Sequence, residues 1–250
     1  MKIRDIYNAI NTLAPFGTCL EDDSVGLLVG DMDTAVSRVA VALDVTRATV
    51  SAARDAGAQL LLTHHPAYFG AIDEQPSGCA AFLARDLGLA IISAHTNLDA
   101  ADGGVNDCLA AALGLLSVEK LSDGSDNVPM ARVGELKADS AAALAEYAKT
   151  RLGVCGVKLT DCGQAITRVA VCGGSGGDFL DAAKAAHAQA LLTGESKHHL
   201  RLHAREIGVS LLECGHFCTE QVVKGKLAEV VRALGVEAVM LTERDPADYI

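Results

Sequence analysis

The chain has 250 residues, half of them apolar, and carries 21 Lys and Arg against 32 Asp and Glu, a formal net charge of −11. So acidic a chain repels nucleic-acid phosphates, which excludes a broad DNA- or RNA-binding surface. The length and the core-forming residues, chiefly Ala, Val and Leu with no Trp, are typical of a compact α/β protein.

The first predicted element, MKIRDIYNAI, carries charges at Lys2, Arg4 and Asp5 and contains no apolar stretch that could serve as a signal peptide. No later run is long and apolar enough to span a membrane. We therefore expect a cytoplasmic protein with no membrane partner. In that compartment the eight cysteines, none of which forms a C-x-x-C pair, should be reduced packing residues.

An internal repeat organises the chain. Residues 38–63 align without a gap with residues 168–193, and 12 of the 26 aligned positions are identical. Each copy reads as a short buried strand (RVAV), a turn, an amphipathic helix and a second strand (LLLT or ALLT). The chain is therefore predicted to be a duplicated α/β protein.

The similarity continues downstream, where residues 87–99 resemble residues 207–220. Both stretches predict a strand followed by a histidine and, four positions later, an acid, so His95-x3-Asp99 and His216-x3-Glu220 are equivalent. The middle of the chain predicts a polar loop over 122–129, a strand at ARVGEL and an Ala-rich helix over 140–152. No flexible linker is evident, so both halves are expected in one body.

Side chains that can bind a metal follow the predicted strands. In open α/β sheets, ligands gather beyond the carboxyl ends of the strands. The residues at these ends are His64 and His65, His95, Glu195 and His216. A single histidine at a strand end is more often a structural residue, but the coincidence of several favours a metal site.

The adjacent pair His64 and His65 favours two ions over one. Neighbouring residues on an extended chain point to opposite faces, so each ring would bind a different ion. With the two His-x3-acid spacings, this pattern is typical of a two-metal hydrolytic site that activates water. Imidazole and carboxylate ligands suit Zn, Fe, Mn, Co or Ni, and the sequence does not choose among these metals.

Two weaker motifs leave alternatives open. The turn CGGSGGDF (172–179) either binds an anion through its backbone amides or is only a tight turn between a strand and a helix. Cys214 and Cys218 flank His216 and could be thiolate ligands or nucleophiles, and we interpret them as packing residues.

Five motifs occur in a fixed order: THHP, HTNLDAADGGVND, VAVCGGSGG, LLTGE and GHFCTE. In this order they resemble the Nif-three-like dinuclear-metal-centre family, also called GTP cyclohydrolase 1 type 2 homologues. The resemblance runs over nearly the whole chain. It implies an internally duplicated α/β fold of two intertwined halves with mixed sheets, in a single body over 1–250 with pseudo-repeats of about 1–127 and 128–250.

The resemblance also implies the site and its cofactors. Carried over by position, it implies two divalent metal ions with five ligands: His64, His65, Asp99, His216 and Glu220. His95 is a sixth candidate, either as a ligand or as a proton donor beside the ligands. No other catalytic residue is assigned, and Glu195 lies outside the implied ligand set.

The function implied by the resemblance is a metal-dependent hydrolase that acts on a small molecule. The family name points to GTP, whose imidazole ring would be opened by metal-activated water with release of formate. A metal-trafficking or metal-insertion protein and a phosphoester hydrolase are the alternatives. The family's ring-shaped assemblies imply a homohexamer.

Overall fold

The computed structural model describes residues 1–123 and 128–248 of the chain. The strands in the described residues are β1 (Gly26–Val29), β2 (Arg38–Ala42), β3 (Leu60–Thr63), β4 (Ala90–Ser93), β5 (Leu116–Leu121), β6 (Ala131–Ala138), β7 (Lys158–Thr160), β8 (Ile166–Cys172), β9 (Ala190–Thr193), β10 (Ser210–Glu213) and β11 (Glu237–Met240). The helices are α1 (Ile3–Leu13), α2 (Arg47–Asp55), α3 (Ala80–Asp86), α4 (Thr96–Ala100), α5 (Val105–Leu113), α6 (Ala141–Leu152), α7 (Leu180–Ala185), α8 (His198–Ile207), α9 (His216–Glu220) and α10 (Lys224–Ala233).

The chain forms two compact units. Unit 1 consists of Met1–Gly104 and Val223–Arg244, and unit 2 consists of Val105–Val222 with the C-terminal residues from Asp245. The division into pseudo-repeats 1–127 and 128–250 describes sequence similarity and stays a prediction, as does the single body. The predicted polar loop at 122–129 includes residues 124–127, which lie outside the described residues.

Unit 1 contains a five-stranded mixed sheet in the order β1-β4-β3-β2-β11. β4, β3, β2 and β11 run parallel, and β1 pairs antiparallel with β4 at one edge. The three central strands are almost entirely buried, which explains why they read as unbroken apolar runs without polar alternation. Helices α2 and α3 pack on this sheet through Val50, Ala53 and Ala81.

Unit 2 contains a six-stranded mixed sheet in the order β5-β6-β8-β9-β10-β7. β8, β9 and β10 are parallel, while β5, β6 and β7 pair antiparallel with their neighbours. Its core cluster includes Leu180, Leu191 and Leu211.

The duplication predicted from the sequence is confirmed by the topology. The run β2-α2-β3-α3-β4 in unit 1 has the same order as β8-α7-β9-α8-β10 in unit 2, and an antiparallel strand, β1 or β7, follows β4 or β10 in the sheet. The mixed α/β fold with two mixed sheets is therefore the one the sequence predicts.

One repeated polar residue has a structural role at the amino end of the sheets. The side-chain oxygen of Gln59 accepts hydrogen bonds from the backbone N–H groups of Ser37 and Arg38. Gln189, 130 positions later, does the same for the two equivalent amides. The glutamine that both repeats share therefore stabilises the start of a strand in each unit. It lies at the end of the sheet opposite the candidate ligands.

Within residues 1–123 and 128–248, none of the helices combines the length and the apolar character that a membrane crossing requires.

Candidate metal centre

The adjacent histidines of unit 1 lie immediately beyond β3, where the chain bends. Their ring centroids are 4.9 Å apart. The expectation that the two rings point to opposite faces is wrong, because the extended backbone ends at Thr63. The bend is held by the hydroxyl of Thr63, which donates to the carbonyl of His65, and by the His65 N–H, which donates to the carbonyl of Leu43.

His95 joins this pair from the end of β4. Its ring centroid lies 5.3 Å from that of His64 and 5.6 Å from that of His65. One ring nitrogen from each of the three residues lies within 4.8 Å of the others, a spacing that suits metal coordination. Parallel pairing of β3 with β4 brings their carboxyl ends together, which explains the convergence.

Each imidazole of this group has its Nδ1 beside an oxygen acceptor. The pairs are His64 with the Ala94 carbonyl at 2.8 Å, His65 with Asp44 Oδ1 at 2.7 Å, and His95 with Asp23 Oδ1 at 2.8 Å. An acceptor at Nδ1 fixes the proton there and leaves the Nε2 lone pair for a metal, the usual arrangement around ligating histidines. The donor set therefore fits a divalent ion.

Asp99 adds a carboxylate to the same group. It lies in α4, the short helix that begins directly after His95, and its Oδ1 is 3.6 Å from His64 Nε2. One helical turn thus carries the acid of this His-x3-acid spacing back toward the strand ends.

Asp23 is held as a carboxylate by its neighbours. Burial alone would raise the pKa of Asp23, but hydrogen bonds from the ring of His95 and from Thr96 outweigh it and lower the pKa to about 2. Asp23 is therefore ionised at neutral pH and serves as a permanent acceptor for His95 Nδ1.

Unit 2 carries the second His-x3-acid motif, on α9. His216 Nε2 lies 3.1 Å from Glu220 Oε2, and His216 Nδ1 lies 3.1 Å from Glu195 Oε1. Glu220 is 5% exposed. The same pattern recurs here, with a carboxylate on Nδ1 and an acidic candidate ligand beside Nε2.

The glycine turn after β8 supports Glu220 and does not present a row of open amides. The N–H of Gly173 donates to Asn106 Oδ1 and that of Gly174 donates to Thr219 Oγ1. Gly174 has φ +60°, and a Cβ there would stand 2.2 Å from Glu220 Oε1. These contacts favour the tight-turn interpretation of CGGSGGDF over the anion-binding one.

The cysteines that flank His216 behave as packing residues. Both Cys214 and Cys218 are buried. Burial raises the pKa of the Cys214 thiol to about 12, with Cys218 and Glu213 adding to it, and burial also raises the pKa of Cys218. Neither is a thiolate at neutral pH, so neither has the character of a nucleophile.

A cavity of about 550 Å³ opens beside His216 in unit 2. Its charged and titratable lining residues are Lys158, Glu195, Glu213, His216 and Asp245. The carboxylate of Glu213 is held by Arg201, with Nε–Oε2 at 2.5 Å and Nη2–Oε1 at 2.7 Å. The volume lies within the range of small-molecule sites.

The structure thus brings together His64, His65, His95 and Asp99 in unit 1, and His216 with Glu220 in unit 2. Sequence reasoning missed the roles of Asp23, Asp44 and Glu195 as acceptors for imidazole Nδ1. Asp44 follows the parallel strand β2, so the strand-end rule that selected the histidines and Glu195 could have selected Asp44 too. Asp23 lies in a loop and gave no signal.

The chain is similar to known proteins over nearly its whole length. A model of the Duf34/NIF3 (NGG1p interacting factor 3) family matches residues 1–246. A GTP cyclohydrolase 1 type 2 homolog of Clostridium perfringens is 33% identical over 269 aligned positions, covering 100% of both chains.

Solved structures show the same fold. A Staphylococcus aureus hypothetical protein is 26% identical with a TM-score of 0.88, covering 100% of this chain and 99% of that one. A Bacillus cereus protein related to NIF3, 22% identical, matches with a TM-score of 0.88 over 100% of this chain and 99% of its own. On the family match over nearly its full length, the chain belongs to the Duf34/NIF3 family.

Proposed function

We propose that the protein is a metal-dependent hydrolase with a dinuclear centre. The observation that carries the proposal is the orientation of the imidazoles: His64, His65, His95 and His216 each have Nδ1 beside an oxygen acceptor, which directs Nε2 to a metal. Metal-ligating histidines almost always have such an acceptor on the ring nitrogen that does not bind the metal.

The proposed ligands are those expected from the sequence: His64, His65, Asp99, His216 and Glu220. The equivalence of the two His-x3-acid motifs supports the same ligand role for both acids, and His95 is either a sixth ligand or a proton donor. The N and O donors suit two divalent ions of Zn, Fe, Mn, Co or Ni.

Bound divalent ions supply Lewis-acid activation of water near neutral pH. The chain's own part is orientation and charge. Asp23 fixes the ring of His95, and Asp44 fixes the ring of His65. Each carboxylate also makes the Nε2 of its imidazole more basic and so a stronger metal ligand. The carboxylates of Asp99 and Glu220 would offset the charge of the cations, and the cavity beside His216 would admit a small molecule to unit 2.

The proposed substrate is a purine nucleotide of the GTP class. The curated relative from Clostridium perfringens carries the name GTP cyclohydrolase 1 type 2 homolog. In the corresponding reaction, a first water adds to C8 of the imidazole ring and the ring opens to a formamide, and a second water hydrolyses this formamide so that C8 leaves as formate. In the cavity, Lys158 supplies a cation for an anionic substrate on a chain whose net charge is negative.

Turnover decides among the candidate functions. Purified protein loaded with Zn²⁺, Mn²⁺, Co²⁺, Ni²⁺ or Fe²⁺ is incubated with GTP, and formate and phosphate are measured with and without chelator. Formate release that the chelator abolishes supports the proposal. Phosphate without formate indicates a phosphoester hydrolase, and neither product, with rapid transfer of the ions to an acceptor chelator, indicates a metal carrier.

Variants of the acidic ligands test the centre itself. Asp99→Ala and Glu220→Ala each remove a charge that offsets the cations, and we expect metal affinity to fall at least 10–100-fold, the loss typical of changes beside the ligands. Melting of the metal-free variants should still be cooperative, because the apolar strand cores are elsewhere. Glu206→Ala, an exposed acid on α8, is the control. Full metal content in both ligand variants contradicts the assignment.

A further inference from the structure

A lysine and a glutamate from the C-terminal part of unit 1 are buried together. The side chains of Lys224, which begins α10, and Glu243, which follows β11, are 11% and 7% exposed, with Nζ and Oε2 2.8 Å apart. Burying such a pair costs about as much as its attraction returns, so stability alone is a weak reason for it.

The carboxylate of Glu243 binds the end of β2. Its Oε2 accepts the N–H of Leu43 at 2.8 Å, and its Oε1 accepts the N–H of Asp44 at 3.0 Å. Lys224 also donates to the carbonyl of Leu241 at 3.3 Å, so it anchors the segment that carries Glu243. One carboxylate therefore fixes two consecutive amides at the strand end.

Those two residues hold His65. Asp44 Oδ1 lies 2.7 Å from His65 Nδ1, and the carbonyl of Leu43 accepts the His65 N–H at 2.9 Å. Asp44 orients the ring and Leu43 orients the backbone. Glu243 is thus one step removed from a candidate metal ligand, through the residues that position it.

We propose that Glu243, anchored by Lys224, is a positioning residue for the metal centre. It fixes the Leu43–Asp44 turn so that Asp44 directs Nε2 of His65 toward the metal. This inference rests on the metal centre in the proposed function. It adds a C-terminal residue, 178 positions after His65, to the determinants of that centre.

Co²⁺ is the probe, because its visible absorption reports ligand geometry while competition with a chromophoric chelator reports affinity. Glu243→Gln keeps the side-chain volume but turns one acceptor oxygen into an amide that faces a backbone N–H. We expect Co²⁺ affinity to fall about tenfold and the absorption bands to change, since supporting residues of this kind typically affect affinity 10–100-fold.

Glu237→Gln is the matched control. Glu237 lies in the same C-terminal segment and pairs with the partly exposed Arg38 at 2.7 Å, away from the Leu43–Asp44 turn. Its affinity and spectrum should equal those of the unmodified protein. If Glu243→Gln folds poorly, Glu243→Gln with Lys224→Met removes the ammonium that would otherwise be left buried, and the same two measurements apply.

A double-mutant cycle separates positioning from general stability. If Glu243 acts through Asp44, then Asp44→Ala, which removes the acceptor for His65 Nδ1, combined with Glu243→Gln should bind Co²⁺ no more weakly than Asp44→Ala alone. Additive losses, or unchanged affinity and spectrum in Glu243→Gln, overturn the inference while the centre stands. Absence of Co²⁺ binding by the unmodified protein overturns the proposed centre itself.

Discussion

At the residue scale, Glu195 is a carboxylate that contacts the proposed metal ligand His216. It follows β9 and lies outside the expected ligand set, yet its Oε1 is 3.1 Å from His216 Nδ1. We expect Glu195→Ala to weaken metal binding about tenfold or more, because the ring loses the acceptor that fixes its tautomer. Isothermal titration with Zn²⁺ measures the change.

The matched control for Glu195 is an equivalent pair outside the centre. Asp181 Oδ1 lies 2.8 Å from His203 Nε2 on the exposed side of α7 and α8. Asp181→Ala removes a carboxylate from an imidazole in the same way and should leave Zn²⁺ affinity unchanged. Equal affinities for both variants and the unmodified protein would show that Glu195 does not support His216.

At the residue scale, sequence reasoning predicts side chains that would bind a metal directly and assigns no role to those that would act through another residue. His64 and Asp99 lie in patterns that recur along the chain. By contrast, Asp23 meets His95 across 72 positions, and Glu243 meets Asp44 across 199. Such contacts depend on strand order and loop path, which local spacing does not encode.

At the scale of elements, the turn between β8 and α7 packs so closely against Glu220 of α9 that it has no room for a side chain at Gly174. Gly174→Ala places a Cβ 2.2 Å from Glu220 Oε1 in a backbone with φ +60°. The positive φ should cost about 1–2 kcal/mol of folding stability. Displacement of Glu220 should in addition weaken metal binding, which chelator competition with Zn²⁺ measures.

Gly153, which ends α6, separates these two effects. Its φ is +69°, and a Cβ there meets nothing within 4 Å. Gly153→Ala should therefore lose a similar amount of stability and keep its Zn²⁺ affinity. If Gly174→Ala and Gly153→Ala bind Zn²⁺ equally well, the close approach of Gly174 to Glu220 does not affect metal binding.

The ion pair between Glu213 of β10 and Arg201 of α8 should make the folding stability depend on pH. Burial alone would raise the pKa of Glu213, but Arg201 and the N–H of Ser196 outweigh it and lower that pKa from its ordinary value of 4.5. A lowered folded-state pKa stabilises the fold above the ordinary value, and this contribution is lost as pH falls through the folded-state value.

Glu213→Gln should therefore show a flatter pH dependence. Urea unfolding of the metal-free protein should give a stability difference from the unmodified chain that shrinks as pH falls below about 4.5. Glu119→Gln, which removes an exposed partner of Arg168, is the control and should follow the unmodified protein. A difference that stays constant from pH 7 to pH 3 would contradict this reasoning.

The elements themselves were largely predictable. RVAV, LLLT and ARVGEL predict β2, β3 and β6, and the Ala-rich run over 140–152 matches α6 (Ala141–Leu152). What the apolar pattern could not give was the end of β3. In the sequence, Thr63 and the two histidines read as a continuation of the strand. The bend after Thr63 is what brings the two imidazole rings close to each other.

At the scale of the whole molecule, the family resemblance of the sequence predicts a homohexamer. Each copy carries a net charge of −11, so assembly brings like charges together. Contacts other than net charge attraction must therefore stabilise the assembly. Exposed apolar side chains are present among the described residues, for example Leu116 at 66% on the edge strand β5. Light scattering at micromolar concentration should give six times the 25.9 kDa chain mass.

Salt should strengthen this assembly. Added salt shortens the screening length from roughly 30 Å at 0.01 M to about 8 Å at 0.15 M, which weakens repulsion between acidic copies while leaving apolar contacts intact. We therefore expect the hexamer to persist to lower protein concentration at 0.15 M salt than at 0.01 M, as measured by light scattering over a dilution series. A monomer at both salt concentrations rules out the hexamer. Dissociation as salt increases would instead indicate an assembly held by ion pairs between copies.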